Sequence, residues 1–310
     1  MSALDFSTKI GSKRFSNPIF TASGCASSGQ ELSQFFPLTE LGAVVTKSIM
    51  TKARTGRATP RMAETPSGML NSIGLQGPGI DTFLENDIPW LIENNAKIVV
   101  SIAGETVEEY GVLARRLRAV SGISAVEVNI SCPNVENRGQ VFACHPDTAV
   151  AVIESVRRNI GGELPIIAKL SPDVTDITEI AGAVINAGVD GLALINTLLG
   201  MVIDTNTMKP KLAGKTGGLS GPAIRPVAVR AIYQVHQAFP NTPIVGMGGV
   251  ASGRDALELI LAGASAVSVG TATFGDPTAV IKIKNQLSDL LTQKGFNDFR
   301  DAIGFAHRSI

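Results

Sequence analysis

The stretch Pro165-Ile166-Ile167-Ala168-Lys169-Leu170-Ser171 is a short, mainly apolar run bounded by a proline and a serine. A second run of the same kind, Gly191 to Thr197, follows it after an amphipathic segment at Ile177 to Ala187. Runs that are apolar at nearly every position are typical of parallel strands covered on both faces, whereas apolar residues at helical spacing indicate a surface helix. The three segments together predict a strand, a helix and a second, parallel strand.

This unit recurs along the chain. Short runs rich in Val and Ile predict eight strands, at Pro18 to Ser23, Ala43 to Ser48, Ile98 to Gly104, Ala125 to Cys132, Pro165 to Ser171, Gly191 to Thr197, Pro243 to Gly249 and Ala266 to Ala272. Helical spacing also predicts helices at Val107 to Val120, Thr148 to Ile160, Pro226 to Phe239 and Arg254 to Ala262. Because 310 residues hold eight such units and no Pro/Gly/Ser-rich linker, the sequence favours one (β/α)₈ TIM barrel, a single domain over 1–310, rather than an open doubly wound sheet.

Two connections are too long to be simple turns: Ile49 to about Gly79, and Leu198 to Gly221. In the second, Met201 to Asp204 and Lys209 to Leu212 flank a polar tripeptide, which predicts a hairpin. Long loops of a barrel usually form substrate pockets or lids. We therefore expect inserted hairpin loops at the C-terminal face, where the polar tips of the strands converge.

Composition limits the ligand. The 27 basic and 27 acidic residues cancel and form no basic run, so nothing indicates a nucleic-acid or anionic-membrane partner. The N-terminus lacks the pattern of a signal peptide, and no apolar stretch is long enough to span a bilayer. We expect a cytoplasmic protein that acts on a small molecule.

The cysteines and histidines do not form a metal site. The three cysteines, Cys25, Cys132 and Cys144, lack Cys-x-x-Cys spacing, and the three histidines are scattered. We expect no metal in this chain, so that any iron–sulfur centre belongs to another subunit. Cys25 and Cys144 are expected to be buried thiols.

Cys132 is different because of its neighbours. The run Val126-Glu127-Val128-Asn129-Ile130-Ser131 ends in Cys132-Pro133-Asn134, so the thiol lies between two carboxamides where proline stops the strand. A cysteine inside a strand would be a small core residue, but one at this position more often faces a cleft. The motif predicts a reactive thiol.

Glycines near the last two strands indicate a phosphate. Gly248-Gly249 ends the seventh strand and Gly270-Thr271 the eighth, and Gly217-Gly218-Leu219-Ser220-Gly221 precedes the sixth helix. In barrels the backbone N–H groups at these positions commonly bind phosphate, and glycine allows close approach. No GxGxxG fingerprint follows the first strand, so a phosphorylated cofactor other than a Rossmann-bound nicotinamide is predicted.

Two lysines and a set of amides complete the predicted site. Lys169 lies in an otherwise apolar strand and needs an anionic partner or an electron-accepting ring. Lys47 follows a similar apolar run and could pair with a substrate carboxylate or with the cofactor. Four carboxamides fall at strand tips or in the first long loop: Asn71, Asn129, Asn134 and Asn196. Amides offer donors and an acceptor without charge, which suits a neutral ring bearing C=O and N–H groups.

These motifs resemble those of the dihydroorotate dehydrogenases, the flavin enzymes of pyrimidine biosynthesis, over essentially the whole chain. The motifs are Val45-Thr46-Lys47-Ser48, Gly68-Met69-Leu70-Asn71-Ser72-Ile73-Gly74-Leu75-Gln76, Asn129-Ile130-Ser131-Cys132-Pro133-Asn134, Asn196-Thr197-Leu198-Leu199-Gly200-Met201, Gly217-Gly218-Leu219-Ser220-Gly221-Pro222-Ala223 and Gly246-Met247-Gly248-Gly249. Cysteine at 132 resembles the soluble class, and the Asn196 and Gly217 motifs resemble its heteromeric, NAD-linked subclass.

The resemblance implies FMN in this chain, with its phosphate on the backbone around Gly248, Gly249, Gly270 and Thr271. The rest of the flavin would contact Ser23, Lys47, Ser48, Ser101, Asn129, Lys169, Ile195 and Gly221, although Ser101 stands where many relatives have asparagine. The substrate would contact Lys47, Asn71, Ser72, Ile73, Gly74, Leu75, Asn129, Asn134, Asn196 and Thr197. Cys132 would remove the C5 proton of dihydroorotate while C6 gives a hydride to the flavin, with Lys47 and Lys169 as the other catalytic residues.

The same resemblance implies a partner. An electron-transfer subunit would carry FAD, a [2Fe–2S] cluster and the NAD site, and this chain would form a dimer within a heterotetramer. Three alternatives remain open from the sequence: a homodimeric, fumarate-dependent dihydroorotate dehydrogenase, a pyrimidine reductase of the dihydropyrimidine dehydrogenase type, and a phosphate-binding barrel without redox chemistry. Asn134 after the proline, where the second family has histidine, favours dihydroorotate.

Overall fold

The computed structural model describes residues 4–131 and 145–308. A parallel sheet contains the eight predicted strands, observed at Ile19–Thr21, Val44–Val45, Ile98–Ile102, Ile123–Asn129, Ile166–Lys169, Gly191–Leu194, Ile244–Met247 and Ala266–Val269. Neighbours in the chain are neighbours in the sheet, and the eighth strand pairs with the first. A parallel bridge between Phe20 and Ala43 joins the first strand to the second. The predicted eight-stranded barrel is therefore confirmed.

Helices lie between the strands and cover the outside of the barrel. The longer ones are Ile88–Glu93, Val107–Arg118, Pro146–Ile160, Ile177–Asn186, Arg225–Ala238, Gly253–Ala262 and Ala279–Gln293. Short helical turns occupy Leu32–Gln34, Leu38–Glu40, Ile80–Thr82, Phe83–Asp87, Pro222–Ile224, Ala272–Gly275, Phe299–Ala302 and Phe305–His307. None of the helices in the described part of the chain is both long enough and apolar enough to cross a bilayer.

Side-chain caps explain where several helices begin. The hydroxyl oxygens of Thr106 and Ser252 accept hydrogen bonds from backbone N–H groups three residues later, and the carboxylate of Asp176 accepts one from the second residue of its helix. Such bonds satisfy N–H groups that have no partner within the helix. The helices therefore begin close to the positions that the apolar spacing predicts.

A short antiparallel hairpin, Thr8–Ile10 with Lys13–Phe15, closes the N-terminal end of the barrel. Ile10 and Phe15 are fully buried against the inward-facing residues of the barrel strands, and the rings of Phe15 and Phe20 are 4.9 Å apart. This hairpin was not predicted, because three-residue strands with alternating basic residues give little periodic signal. The hairpin makes the lower half of the barrel an apolar core.

The two long connections form one four-stranded antiparallel sheet. Its strands, in spatial order, are Leu198–Met201, Thr216–Ser220, Gly68–Asn71 and Met62–Thr65. The predicted hairpin is present beside it as Ile203–Asp204 paired with Lys209–Pro210. The inserted hairpins were predicted, but their union into one sheet was not.

We predict that replacing Phe15 by alanine destabilises the protein, because the substitution empties part of the closed barrel end. A buried phenylalanine contributes about 3–5 kcal/mol relative to alanine. Urea unfolding followed by circular dichroism measures the change in the free energy of unfolding. Phe35→Ala is the matched control: Phe35 is 56% exposed, so that substitution should change the free energy by only about 0.5 kcal/mol. Equal losses for both variants would show that the hairpin does not close a core.

Candidate functional site

A cavity of about 1140 Å³ opens at the C-terminal ends of the barrel strands. Small-molecule sites usually have volumes of about 300–1000 Å³, so this space accommodates a cofactor together with a substrate. Its walls come from strand ends and from the two long connections, which lie far apart in the sequence. The polar strand tips therefore converge on one site, as predicted.

One end of the cavity is formed by backbone. Gly248 and Gly249 have φ angles of 125° and 76°, which side chains rarely allow. A Cβ on Gly249 would lie 2.7 Å from the Cβ of Arg225 and 3.0 Å from the carbonyl oxygen of Gly221. Beside them the Thr271 hydroxyl donates to the Ser220 hydroxyl at 2.8 Å. This wall presents main chain rather than side chains to a ligand, as a phosphate site requires.

The floor of the cavity carries a buried ion pair. Lys169, at the end of the fifth strand, is 4% exposed, and its Nζ lies 3.6 Å from Oε1 of Glu127 in the fourth strand, which is 2% exposed. Of the two partners expected for Lys169, an anion or an electron-accepting ring, the anion is thus a residue of the protein. Glu127 itself was missed, although an acidic residue inside an apolar strand is a signal that could have marked it.

Hydroxyl groups connect this pair to Asn129. The Ser101 hydroxyl donates to Oε1 of Glu127 at 2.9 Å, and Ser101 and Ser48 hydroxyls are 2.9 Å apart. The Nδ2 group of Asn129 donates to the Ser48 hydroxyl at 3.0 Å, and the Ser23 hydroxyl lies 3.2 Å from the same oxygen. Residues in or directly after the first five strands therefore share one polar network.

The network continues to the sixth strand through Ser131. The Ser131 hydroxyl donates to Oδ1 of Asn129 at 3.0 Å and accepts from Nδ2 of Asn196 at 2.7 Å. Oδ1 of Asn196 accepts from the backbone N–H of Thr197 at 2.8 Å. Two of the four predicted amides are thus oriented by one serine.

A family model described as dihydroorotate dehydrogenase matches residues 5–291. The chain belongs to the dihydroorotate dehydrogenase family. Among its relatives, the dihydroorotate dehydrogenase B (NAD(+)) catalytic subunit of Desulforamulus reducens is 50% identical over 98% of this chain and 99% of that protein. Proteins with the same name from Desulforudis audaxviator and Geotalea daltonii are 50% and 47% identical, covering 94% and 98% of this chain and 94% and 99% of their own lengths. The resemblance drawn from the motifs is confirmed.

Most residues predicted by resemblance to dihydroorotate dehydrogenases line the cavity. They are Ser23, Lys47, Ser48, Asn71, Ile73, Gly74, Leu75, Asn129, Lys169, Ile195, Asn196, Thr197, Gly221, Gly248, Gly249, Gly270 and Thr271. Ser101 and Ser72 are fully buried and lie behind the wall, where Ser72 accepts a hydrogen bond from Arg57 at 3.0 Å. Cys132, Asn134 and Cys144 lie outside the described residues.

Two further residues of this site differ from the sequence-based expectations. Cys25 is only half-buried and lines the cavity, which corrects its interpretation as a buried thiol. Burial raises the pKa of the Cys25 thiol, and the positive charges of Lys169 and Lys47 oppose that rise. Ser268, which was not predicted, lines the cavity from the eighth strand, and its buried hydroxyl has no hydrogen-bond partner in the part of the chain that the structure describes.

We predict that Gly249→Ala destabilises this dihydroorotate dehydrogenase family member by about 1–3 kcal/mol, because alanine must adopt a left-handed φ and meets the Arg225 backbone. Chemical unfolding measures the loss. Gly275→Ala is the control on the same cavity, since a Cβ there meets nothing within 4 Å. A Gly249→Ala protein as stable as the Gly275→Ala protein would contradict the strained backbone.

Proposed function

We propose that this chain is the catalytic subunit of an NAD-linked dihydroorotate dehydrogenase, which oxidises dihydroorotate to orotate with FMN. One observation carries the proposal: the cavity joins a glycine-lined backbone wall, a buried lysine and oriented carboxamides in a chain that belongs to this family. The relatives named above support the NAD-linked activity and the role of a catalytic subunit.

The residues of the cavity fit FMN. The orphan hydroxyl of Ser268 needs a hydrogen-bond partner, which a polar ring edge supplies, and the close-packed glycine wall leaves its backbone accessible to a phosphate. Lys169 lies on the floor of the cavity, where its ammonium group can stabilise negative charge on a bound ring. The residues proposed to hold FMN are those predicted above, with Ser101 supporting Ser48 from behind and Ser268 added. When bound, FMN supplies the hydride acceptor.

The substrate is proposed to lie between the carboxamides and the 71–75 loop. Asn129 and Asn196 have fixed orientations, so each presents a defined polar edge to the C=O and N–H groups of a pyrimidine ring. Lys47, a half-buried cation of the cavity wall, is proposed to attract the substrate carboxylate. The loop is held from behind, since the backbone N–H groups of Ser72 and Arg57 donate to the carbonyl oxygens of Arg61 and Ile73. Charge and amide groups thus match the two ends of dihydroorotate.

Cys132 is proposed as the general base that removes the C5 proton of dihydroorotate. The fourth strand ends at Asn129, which lines the cavity three positions before Cys132 in the sequence. Asn134 is proposed as a further substrate contact. A free thiol titrates near pH 8.5, so at neutral pH a minority is the active thiolate unless nearby positive charge increases it.

Electrons are proposed to leave through a partner subunit that holds FAD, a [2Fe–2S] cluster and the NAD site. The name "catalytic subunit" borne by the relatives supports a partner, and we propose that two copies of this chain lie within a heterotetramer in the cytoplasm.

We predict that the purified protein is yellow and that anaerobic dihydroorotate bleaches the flavin absorbance. Adding NAD to the reduced chain alone should leave it bleached, whereas adding NAD with the partner subunit should restore the colour. Stopped-flow absorbance measures each step, and an acceptor-free mixture is the control. Reoxidation by fumarate would instead indicate the fumarate-dependent enzyme, and a colourless protein that releases no flavin on denaturation would contradict the redox function altogether.

We predict that Cys132→Ser retains FMN and that its flavin is reduced by dihydroorotate about 10²-fold or more slowly, since a serine hydroxyl forms far less of its ionised, basic form than a thiol does at the same pH. The deficit should be smaller well above pH 8.5 than at low pH, because the wild-type rate levels off once the thiol is ionised, whereas the rate of the serine variant still rises with pH. Rapid-mixing measurement of flavin reduction across pH tests this, with Cys25→Ser as the thiol control. An unchanged rate for Cys132→Ser would exclude Cys132 as the base.

A further inference from the structure

Glu127 is a buried carboxylate to which the proposed reaction assigns no step. It does not line the cavity but lies directly behind Lys169, on the inward face of the fourth strand. Strand pairing fixes this position, because Glu127 is in register with Ser101 on one side and Ile167 on the other. Removing a carboxylate from water is costly unless it is both ion-paired and hydrogen-bonded, and Glu127 is both.

The ionised carboxylate gives the hydrogen-bond network a direction. A carboxylate only accepts, so the single hydroxyl hydrogen of Ser101 is committed to Glu127. Ser48 must therefore donate to Ser101, and its oxygen must accept from Asn129. The donor and acceptor of each hydrogen bond are therefore determined by the bond before it, beginning at the carboxylate.

The same direction extends to the second amide. With its NH₂ group turned to Ser48, Asn129 presents Oδ1 to the Ser131 hydroxyl, which donates to it. Ser131 then accepts from Nδ2 of Asn196. The carboxylate thus determines which end of each carboxamide is the donor. The NH₂ group of Asn129 keeps a second hydrogen for a ligand, whereas Nδ2 of Asn196 also donates to the Ser131 carbonyl oxygen at 3.3 Å. Charge-assisted chains of this kind strengthen their members cooperatively.

We infer that Glu127 is a positioning residue with two effects: it holds the Lys169 ammonium and partly balances its charge, and through Ser101 and Ser48 it orients the Asn129 and Asn196 amides. This inference rests on the proposed function, because the first effect acts on bound FMN and the second on the pyrimidine. Glu127 touches neither ligand. It sets the reduction potential of the flavin through Lys169 and the affinity for orotate through the amides.

Substitutions can separate the two effects, the one on Lys169 and the one on the amides. Glu127→Gln removes the charge and lets position 127 donate as well as accept, so it disturbs both effects. Ser101→Ala breaks the hydrogen bonds that connect Glu127 to the amides but leaves the ion pair with Lys169 in place. Glu154→Gln is the matched control, because Glu154 also lies 3.6 Å from a cation, Arg158, but is 51% exposed on a helix surface.

The experiment measures binding and potential, not turnover. Orotate affinity is measured by calorimetric titration of each FMN-loaded protein, and the flavin potential by equilibration with a reference dye. Glu127→Gln should weaken orotate about tenfold. Because the ammonium then lacks its counter-charge, the variant should also favour reduced over oxidised flavin about tenfold more than the wild type, about 30 mV for a two-electron couple. Ser101→Ala should weaken orotate with an unchanged potential, and Glu154→Gln should change neither.

A comparison in the Lys169→Met background covers the case in which Glu127→Gln does not fold. Lys169→Met should lower the flavin potential, and adding Glu127→Gln should change that potential no further, because Glu127 acts on the flavin through Lys169. Because the double variant still lacks the ordered chain, it should bind orotate less tightly than Lys169→Met does.

The outcomes separate the two hypotheses. A wild-type protein without FMN or orotate binding refutes the proposed function. A wild-type protein that binds both, with Glu127→Gln unchanged in affinity and potential, refutes the positioning role alone. Independent, additive effects of the Lys169 and Glu127 substitutions on potential would also overturn it, because they would show that Glu127 does not act through Lys169.

Discussion

The ion pair between Lys169 and Glu127 depends on the register of the barrel, and much of the site depends on that pair. Two charges removed from water each lose several kcal/mol of hydration, which only close pairing and further hydrogen bonds offset. The pairing exists because Asn129 is in register with Lys169, and Glu127 lies one inward-facing position below. A shift of one residue between these strands would turn every side chain to the opposite face. The register that closes the barrel therefore also assembles the site.

Alternation along the strands explains how one barrel holds both a packed core and a polar cavity. In the fourth strand the inward positions are Ala125, Glu127 and Asn129, and in the fifth they are Ile167 and Lys169. Ala125 and Ile167 belong to the apolar layer that the N-terminal hairpin closes, whereas the next inward positions are charged. The interior changes from apolar to polar within two residues. The apolar layer excludes water from below, so Lys169 faces a ligand from above only, with Glu127 behind it.

Periodicity and turn chemistry predict the elements of this fold well but not the contacts between distant elements. The eight strands, the five helices and the hairpin after Met201 all follow from patterns within about fifteen residues. The glycine wall was also predictable, because the need for glycine at Gly248 and Gly249 is local. The N-terminal hairpin was missed because its strands are too short for a periodic signal. Glu127 was missed for another reason: its contacts are with residues on other strands, and the periodicity within one strand does not identify which residues lie opposite it.

The joining of the two long connections has the greatest consequence for the side of the cavity where we propose that the substrate binds. Asn71 and Gly218 are partners in one antiparallel sheet, although 147 residues separate them, and Nδ2 of Asn71 donates to the Gly218 carbonyl at 3.4 Å. Glycine is required here, because a Cβ on Gly218 would lie 2.0 Å from the Thr197 hydroxyl oxygen, and Thr197 lines the cavity. The glycines of this strand thus let a cavity-lining loop, a barrel strand end and the substrate-side amide pack together. Glycine and asparagine motifs that are each common in turns thus form one close-packed wall here, because strand pairing brings them together.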